Sequence, residues 1–183
     1  MSFTARALAA LVLSLASLTL VDPASSQERT PDGRAHNPGL PGWCETLAAD
    51  RKAVFQVGHI ERFNPAVDVL KATVSAPRFI EVHRLGSFSA RSLDIDVVLD
   101  LMIHDLDIVL SLDGTEAVQV DAVGVPVLTP RVDIANARLR FASGLIANLT
   151  ASRVSAEKVR KFRVFFPRTY ISVDFAAREA QVY

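Results

Sequence analysis

The chain has 183 residues, 50% of them hydrophobic, and its 20 Lys+Arg are balanced by 20 Asp+Glu. That is enough apolar material for one buried core with appendages, and the lack of net charge or of any basic cluster excludes a polyanion such as nucleic acid as the expected partner. The single cysteine, Cys44, excludes an intramolecular disulfide and a cysteine-based zinc cluster.

Residues 1–27 carry Arg6, an apolar run over 7–21, and Ala24-Ser25-Ser26, the three regions of a signal-peptide-like segment. The run is short for a membrane span, so no membrane partner is expected. Residues 28–44 are rich in Pro, Gly, Arg and Asp without periodicity and read as a linker or disordered stretch. Residues 46–52 fit the end of a helix. Residues 53–58 are a short apolar run ending at Gly58, the form of a buried parallel strand. Phe63-Asn64-Pro65 then supplies a hydrophobic residue, an N-cap and a proline at the first helical position, and Val67, Leu70 and Val74 repeat at helical spacing. A helix over 65–74 is predicted, ended by Pro77. Residues 79–85 form a predicted strand with Ile80 and Val82 on one face and Glu81 and His83 on the other.

The stretch over 92–114 reads as one long helix, with Asp94 as N-cap, Asp96 in the first turn and Gly114 just past the end. A turn of about 100° per residue puts Asp96, Asp100, His104, Asp107 and Ser111 on one stripe of a helix that is otherwise Ile, Val, Leu and Met. Carboxylates and an imidazole aligned on a buried helix point to a site lining a cavity, because buried charge is costly unless it is paired or used. The plain structural alternative has Asp100 orienting His104 across one turn, with the stripe facing water.

After residue 115 the period changes from helical to two. Residues 118–128 are valine-rich. Ala135, Ala137, Leu139 and Phe141 alternate with Asn136, Arg138 and Arg140, and Ser143-Gly144 turns the chain into 145–152. Residues 159–166, 169–175 and 179–183 continue the pattern, with a turn at Pro167-Arg168. Strands joined by short turns pair antiparallel, so the expected class is α+β: a largely antiparallel sheet with helices packed on one face. The eight glycines stand at 33, 39, 42, 58, 86, 114, 124 and 144, so no dinucleotide-binding G-x-G-x-x-G turn can be written anywhere in the sequence.

The run Val57-Gly58-His59-Ile60-Glu61-Arg62-Phe63-Asn64-Pro65, then helix, strand, a helix bearing Asp100-x-x-x-His104 and an antiparallel sheet, resembles the Gfo/Idh/MocA oxidoreductases over about residues 45–183. Within that family the likeness is to the UDP-N-acetylglucosamine 3-dehydrogenase-like branch. The resemblance implies that residues 45–58 are the end of a Rossmann domain, leaving one remnant strand, and that 59–183 form the C-terminal substrate domain. It implies His104 as catalytic acid/base at a sugar hydroxyl, with Asp100 helping to place substrate or imidazole. From the residues themselves, Arg62, directly after the strand, could approach a substrate phosphate or carboxylate or be a solvated or capping residue, and Asp96 and Asp107 of the stripe are the other substrate-binding candidates. NAD(P) is the family's cofactor, a sugar or UDP-sugar its small-molecule partner, and the sheet a surface for homo-oligomers. No counterpart of the family's Glu-Lys-Pro segment occurs, since Glu157-Lys158-Val159 lies elsewhere and lacks the proline. The chain by itself is therefore expected to bind no NAD(P) and to be inactive. The likeness to a cytoplasmic enzyme makes a mis-translated start the expected origin of residues 1–27, with export as the alternative.

The implied chemistry agrees with the residue types. Oxidising a secondary alcohol by hydride transfer needs a base for the hydroxyl proton, and histidine has the unperturbed side-chain pKa nearest neutrality. Two other functions remain open on the residues alone. His104-Asp105 with Asp96, Asp100 and Asp107 could serve a metal-dependent hydrolase, though that class is all-helical. The sheet could instead be a non-catalytic module for dimerisation or partner binding. His59 and His83 read as ordinary strand-end and sheet-surface histidines, and Asn136, Arg138 and Arg140 as a solvent-facing row.

Overall fold

In the computed structural model, which describes residues 47–54, 58–73, 76–90 and 94–183, the period-two segments become seven strands of one sheet. They are β1 (Phe79–Leu85), β2 (Ala117–Val125), β3 (Ile134–Phe141), β4 (Ile146–Ser152), β5 (Val159–Phe166), β6 (Thr169–Asp174) and β7 (Glu179–Val182). Their order across the sheet is β2-β3-β4-β1-β5-β6-β7. Every pairing is antiparallel except β1 with β4, where Phe79 lies beside Ile146 and Leu85 beside Ser152 in parallel. The α+β class with a largely antiparallel sheet is what the alternation predicts. β1 can lie parallel to β4 because the chain returns between them through a long connection that includes the helix, β2 and β3.

Alternation divides each strand between two faces. One face carries Ile80, Val82 and Arg84 of β1, Ala137 and Leu139 of β3, Ala147 and Leu149 of β4, Phe162 and Val164 of β5, and Ile171 and Val173 of β6, all buried. The helices cover this face and complete the core with Val67, Leu70, Met102, Leu106, Ile108, Val109 and Leu110. The other face is open. It holds Asn136, Arg138 and Arg140, exposed as expected, and a shallow groove lined by His83, Leu85, Val159, Lys161, Arg163 and Ser172. Glu81 joins His83 (3.2 Å) and Arg163 (2.7 Å) there, so the row is laced by ion pairs at the surface. Along its edge runs a ladder of aromatic rings, Phe79 on Phe165, Phe165 stacked on Tyr170, and Tyr170 stacked on Tyr183.

Helix α1 (Pro65–Thr73) begins where Asn64 and Pro65 predict, with the Ala66 amide donating to Asn64 Oδ1 at 3.1 Å. A single 3₁₀ turn, Ile60–Phe63, precedes it. The long helix differs from its expected form at the start. Asp94 is exposed in a turn, and Asp96 is the cap, accepting from the amides of Val98 (2.9 Å) and Leu99 (3.0 Å). A π-type turn follows over Val98–Met102, in which the Ile103 amide reaches back to Val98 O, and the regular helix α2 is Ile103–Asp113. Gly114 closes it in the left-handed region at φ 72°, donating to Leu110 O at 3.1 Å. Residues 1–46, 55–57, 74–75 and 91–93 lie outside the described residues, and with them the signal-like segment, the linker and half of the expected 53–58 strand. Of that stretch Ala53, Val54 and Gly58 are described, none of them in a strand. Residues 47–50 form a helical turn, as the expected helix end over 46–52 requires, in a unit separate from the body that starts at His59. Among the described residues no helix is long and apolar enough to cross a membrane.

Candidate functional site

The π turn rewrites the polar stripe. An i→i−5 turn holds one more residue than an α turn, so it offsets the residues before it from those after it by about 100° relative to a regular helix. Asp96, Asp100, His104, Asp107 and Ser111 therefore do not share one face. Asp96 is spent on the cap, and Ser111 Oγ donates to Ile108 O at 2.8 Å. Asp100 is half-exposed and its side chain makes no hydrogen bond or ion pair among the described residues, so it does not hold the His104 ring. A regular helix had put them one turn apart on the same side, and nothing in the residues signals the wider turn.

What surrounds His104 comes instead from the 3₁₀ turn and from β1. Asp105 and Asp107 stand two residues apart on α2, about 200° around the axis, and each finds an arginine from a different element. Arg84 of β1 clamps Asp105 with two hydrogen bonds, Nε to Oδ2 at 2.6 Å and Nη2 to Oδ1 at 2.7 Å, both side chains being 2% exposed. Arg62 of the 3₁₀ turn clamps Asp107 in the same two-pronged way, with Nε to Oδ2 at 2.8 Å and Nη2 to Oδ1. Glu61 adds a second carboxylate 3.7 Å from Arg84 Nη2. Two clamps from two directions fix both the rotation of α2 and its height over the sheet. Arg62 and Asp107, each a substrate-binding candidate, are thus brought together with each other, while Asp96 sits at the far end of the helix.

His104 is half-buried, and its ring meets the edge of His59 at 6.1 Å between centroids and 82° between planes. Its Nδ1 is buried without a hydrogen-bond partner, which leaves Nε2 as the outward nitrogen. Burial pushes the imidazole below its ordinary pKa of 6.5, and the charges of Arg84 and His59 push it further, against the opposing carboxylates of Asp105 and Glu61. The ring is neutral at neutral pH and free to accept a proton. Desolvation also pulls on Arg84, but the hydrogen bonds and charge of Asp105, with Glu61 behind it, outweigh it and keep the guanidinium charged.

A second buried pair secures the start of the helix. Asp133, fully buried, accepts at Oδ2 from the amides of Val127 (2.8 Å), Leu128 (2.7 Å) and Thr129 (2.8 Å). Its Oδ1 accepts from Thr129 Oγ1 and Arg153 Nε, both at 2.7 Å. Arg153 Nη1 in turn donates to Ile95 O at 2.7 Å, and the Val97 amide to Val132 O at 2.9 Å. Desolvation raises the Asp133 carboxyl, yet the Val127 amide, Arg153 and Thr129 together hold it far below the usual carboxylate range.

Sequence reasoning missed Glu61, Arg84, Asp133 and Arg153 altogether, and named His59 without its role. One signal existed: in β1 the inward positions are Ile80, Val82 and Arg84, and an arginine pointing inward demands a buried anion. The dinucleotide cofactor of the family finds no cradle among the described residues. Such a cradle needs glycine-bounded backbone amides free at a helix N-terminus. Here α1 is capped by the Asn64 side chain, and the longer helix by the carboxylate of Asp96, whose charge would repel a phosphate. No group of three or more His, Cys, Asp or Glu among the described residues is arranged to hold a metal ion, and the seven-stranded sheet is not the all-helical fold of the metal hydrolases.

Solved structures with this sheet and helix arrangement include several dehydrogenases. Levoglucosan dehydrogenase in complex with NADH and levoglucosan superposes with a TM-score of 0.65 at 20% identity, covering 75% of this chain and 45% of that one, a likeness of fold alone. The UDP-N-acetylglucosamine 3-dehydrogenase of Acidithiobacillus ferrooxidans superposes with a TM-score of 0.72 at 45% identity, over 78% of this chain and 48% of that one. Its curated sequence is 47% identical over 138 residues, 75% of this chain and 44% of the relative. Residues 68–172 match the GFO/IDH/MocA C-terminal domain, and the chain belongs to that family. It spans a little under half the length of these relatives.

Proposed function

We propose that residues 59–183 are the substrate domain of an NAD(P)-dependent dehydrogenase that oxidises a secondary hydroxyl of a sugar nucleotide, with His104 as its acid/base. The observation that carries this reading is the neutral, half-buried imidazole on a helix that two arginine clamps hold in place. Its outward Nε2 accepts the hydroxyl proton as the alcohol carbon is oxidised, and returns it in the reverse direction. The role of Asp100 is to meet the substrate directly, since it is half-exposed and unpaired. Arg62 and Asp107 serve to hold the helix, and reach substrate only by opening their pair. NAD(P), when bound, would supply the hydride acceptor. Residues 45–58 are read as the end of the cofactor domain and 28–44 as a linker, with the cytoplasm as the compartment that suits a sugar-nucleotide enzyme.

The test has two arms. In a full-length relative with the same helix, changing the equivalent of His104 to alanine should abolish turnover with the fold retained, and near-normal kcat would overturn the acid/base assignment. The 183-residue chain, titrated with NADH and NADPH by fluorescence, should show no saturable binding at micromolar concentrations. Saturation there, or reduction of NAD(P) with a UDP-sugar, would overturn its reading as a substrate domain that lacks its own dinucleotide site. The open, groove-bearing face with its aromatic ladder also supports self-association through the sheet, which sedimentation at increasing concentration would check.

A further inference from the structure

Among the described residues, the buried side-chain atoms without a hydrogen-bond partner are Glu61 Oε2, Arg84 Nη1, His104 Nδ1 and Asn148 Oδ1. Three of the four belong to one cluster. Glu61 Oε2 stands 3.7 Å from the other terminal nitrogen of Arg84, and the charges of both Glu61 and Arg84 act on His104. Buried polar atoms are rarely left unpaired, and three around one functional ring call for an explanation. Their chemistry fits together. Arg84 Nη1 is a donor, Glu61 Oε2 an acceptor, and the imidazole Nδ1 either one according to its tautomer. A single water within reach of all three would accept from Arg84 Nη1–H and donate to Glu61 Oε2. Its remaining acceptor site then takes Nδ1–H, giving it the three hydrogen bonds that a buried water ordinarily makes.

We propose that Glu61 is a positioning residue for His104, acting through one buried water shared with Arg84 that holds the imidazole as the Nδ1–H tautomer. The inference rests on the acid/base reading of His104 and deepens it. The Nδ1–H tautomer leaves the lone pair on Nε2, the nitrogen turned outward, so the ring is preset as a base before any substrate arrives. When Nε2 takes a proton, the imidazolium is stabilised through the water by the Glu61 carboxylate. The groups whose charges act on the ring are His59, just before the 3₁₀ turn, Glu61 within it, Arg84 from β1 and Asp105 from its own helix. Of these Glu61 carries the acceptor that Nδ1 lacks.

The test needs no cofactor and no turnover. Imidazole nitrogens of the ¹⁵N-labelled full chain, assigned with His104→Gln, report tautomer and titration directly. The expected result is a neutral His104 with its proton on Nδ1. Glu61→Gln keeps the shape but removes the charge that raises the His104 pKa, so the titration should move to lower pH and the tautomer preference weaken; Glu61→Asp should restore part of both. Amide dispersion of the sheet serves as the control for folding. A wild-type ring protonated on Nε2, or a His104 titration unmoved by Glu61→Gln in a folded chain, overturns the proposal. Loss of the acid/base role would instead show as turnover surviving the alanine change in the full-length relative, with these spectra unaffected.

Discussion

Two buried arginine–aspartate pairs fasten the same long helix, and they are finished differently. At Asp133 and Arg153 the carboxylate has five donors and the guanidinium reaches a backbone carbonyl and a threonine hydroxyl, so the network closes on itself. At Arg84 and Asp105 the clamp is as tight, but one guanidinium nitrogen, a neighbouring carboxylate oxygen and a ring nitrogen are left over. A saturated network has nothing to offer a reaction and acts as a fastener. An open one stands beside the group that must take and release a proton.

Replacing both members of each pair by leucine or methionine gives the largest contrast. Asp133→Leu with Arg153→Met strands three backbone amides, each worth about 1–3 kcal/mol when buried without a partner, and should unfold the chain or bring its urea midpoint far down. Arg84→Met with Asp105→Leu exchanges a buried pair for packing and should leave stability unchanged or raised by about 1–4 kcal/mol. Equal losses in the two double variants would dissolve the distinction. Breaking either pair from one side, as Asp105→Asn or Asp133→Asn, should cost about 3–5 kcal/mol in equilibrium unfolding, because a charge is left buried alone.

Acid separates the two regions without mutation. The His104 pKa is lowered on folding, so the unfolded chain binds the proton more readily and stability should begin to fall as pH drops below the ordinary 6.5. The Asp133 pKa is lowered too, from 3.8, and a carboxylate so placed contributes its full stabilisation above that value and loses it as pH falls further. Thermal melts across pH should thus show two declines, the upper removed by His104→Gln and the lower reduced by Asp133→Asn, with Asp174 contributing the remainder. A curve with the upper decline intact in His104→Gln would assign it elsewhere. The smallest effect is expected outside both networks: Asn64→Ala, which removes the cap of α1, should cost about 1 kcal/mol by chemical denaturation.

The sheet was legible in the sequence because each strand carries its own period, and the limits of β1 coincide with the predicted 79–85. Asn64-Pro65 and Gly114 marked two helix ends for equally local reasons. The partners of Asp105, Asp107 and Asp133 were not legible, since each arginine comes from an element remote in sequence and a charged residue declares nothing about what it will face. His104 stood out by its type and its apolar surroundings. Its true neighbours, Glu61 and Arg84, are set by how the 3₁₀ turn and β1 meet the helix, which only the packed fold decides. The π turn, which separates Asp100 from the His104 face, has no proline, glycine or other marker at Val98–Met102.

The central position of β1 bears on how the sheet is assembled. This strand is the first of the described strands but lies between β4 and β5, parallel to one and antiparallel to the other. It follows that β4 and β5 run antiparallel to each other, with only residues 153–158 between them. Without β1 they have the direction and the linker length for an ordinary hairpin, which would form faster than pairings that close a long loop. The nearest competitor of the native sheet is therefore a six-stranded meander with β1 left outside. Such a species would bury Phe162 and Val164 against the wrong neighbour and deprive Asp105 of Arg84. The buried clamp between Arg84 and Asp105 is a contact that only the sheet with β1 between β4 and β5 can make.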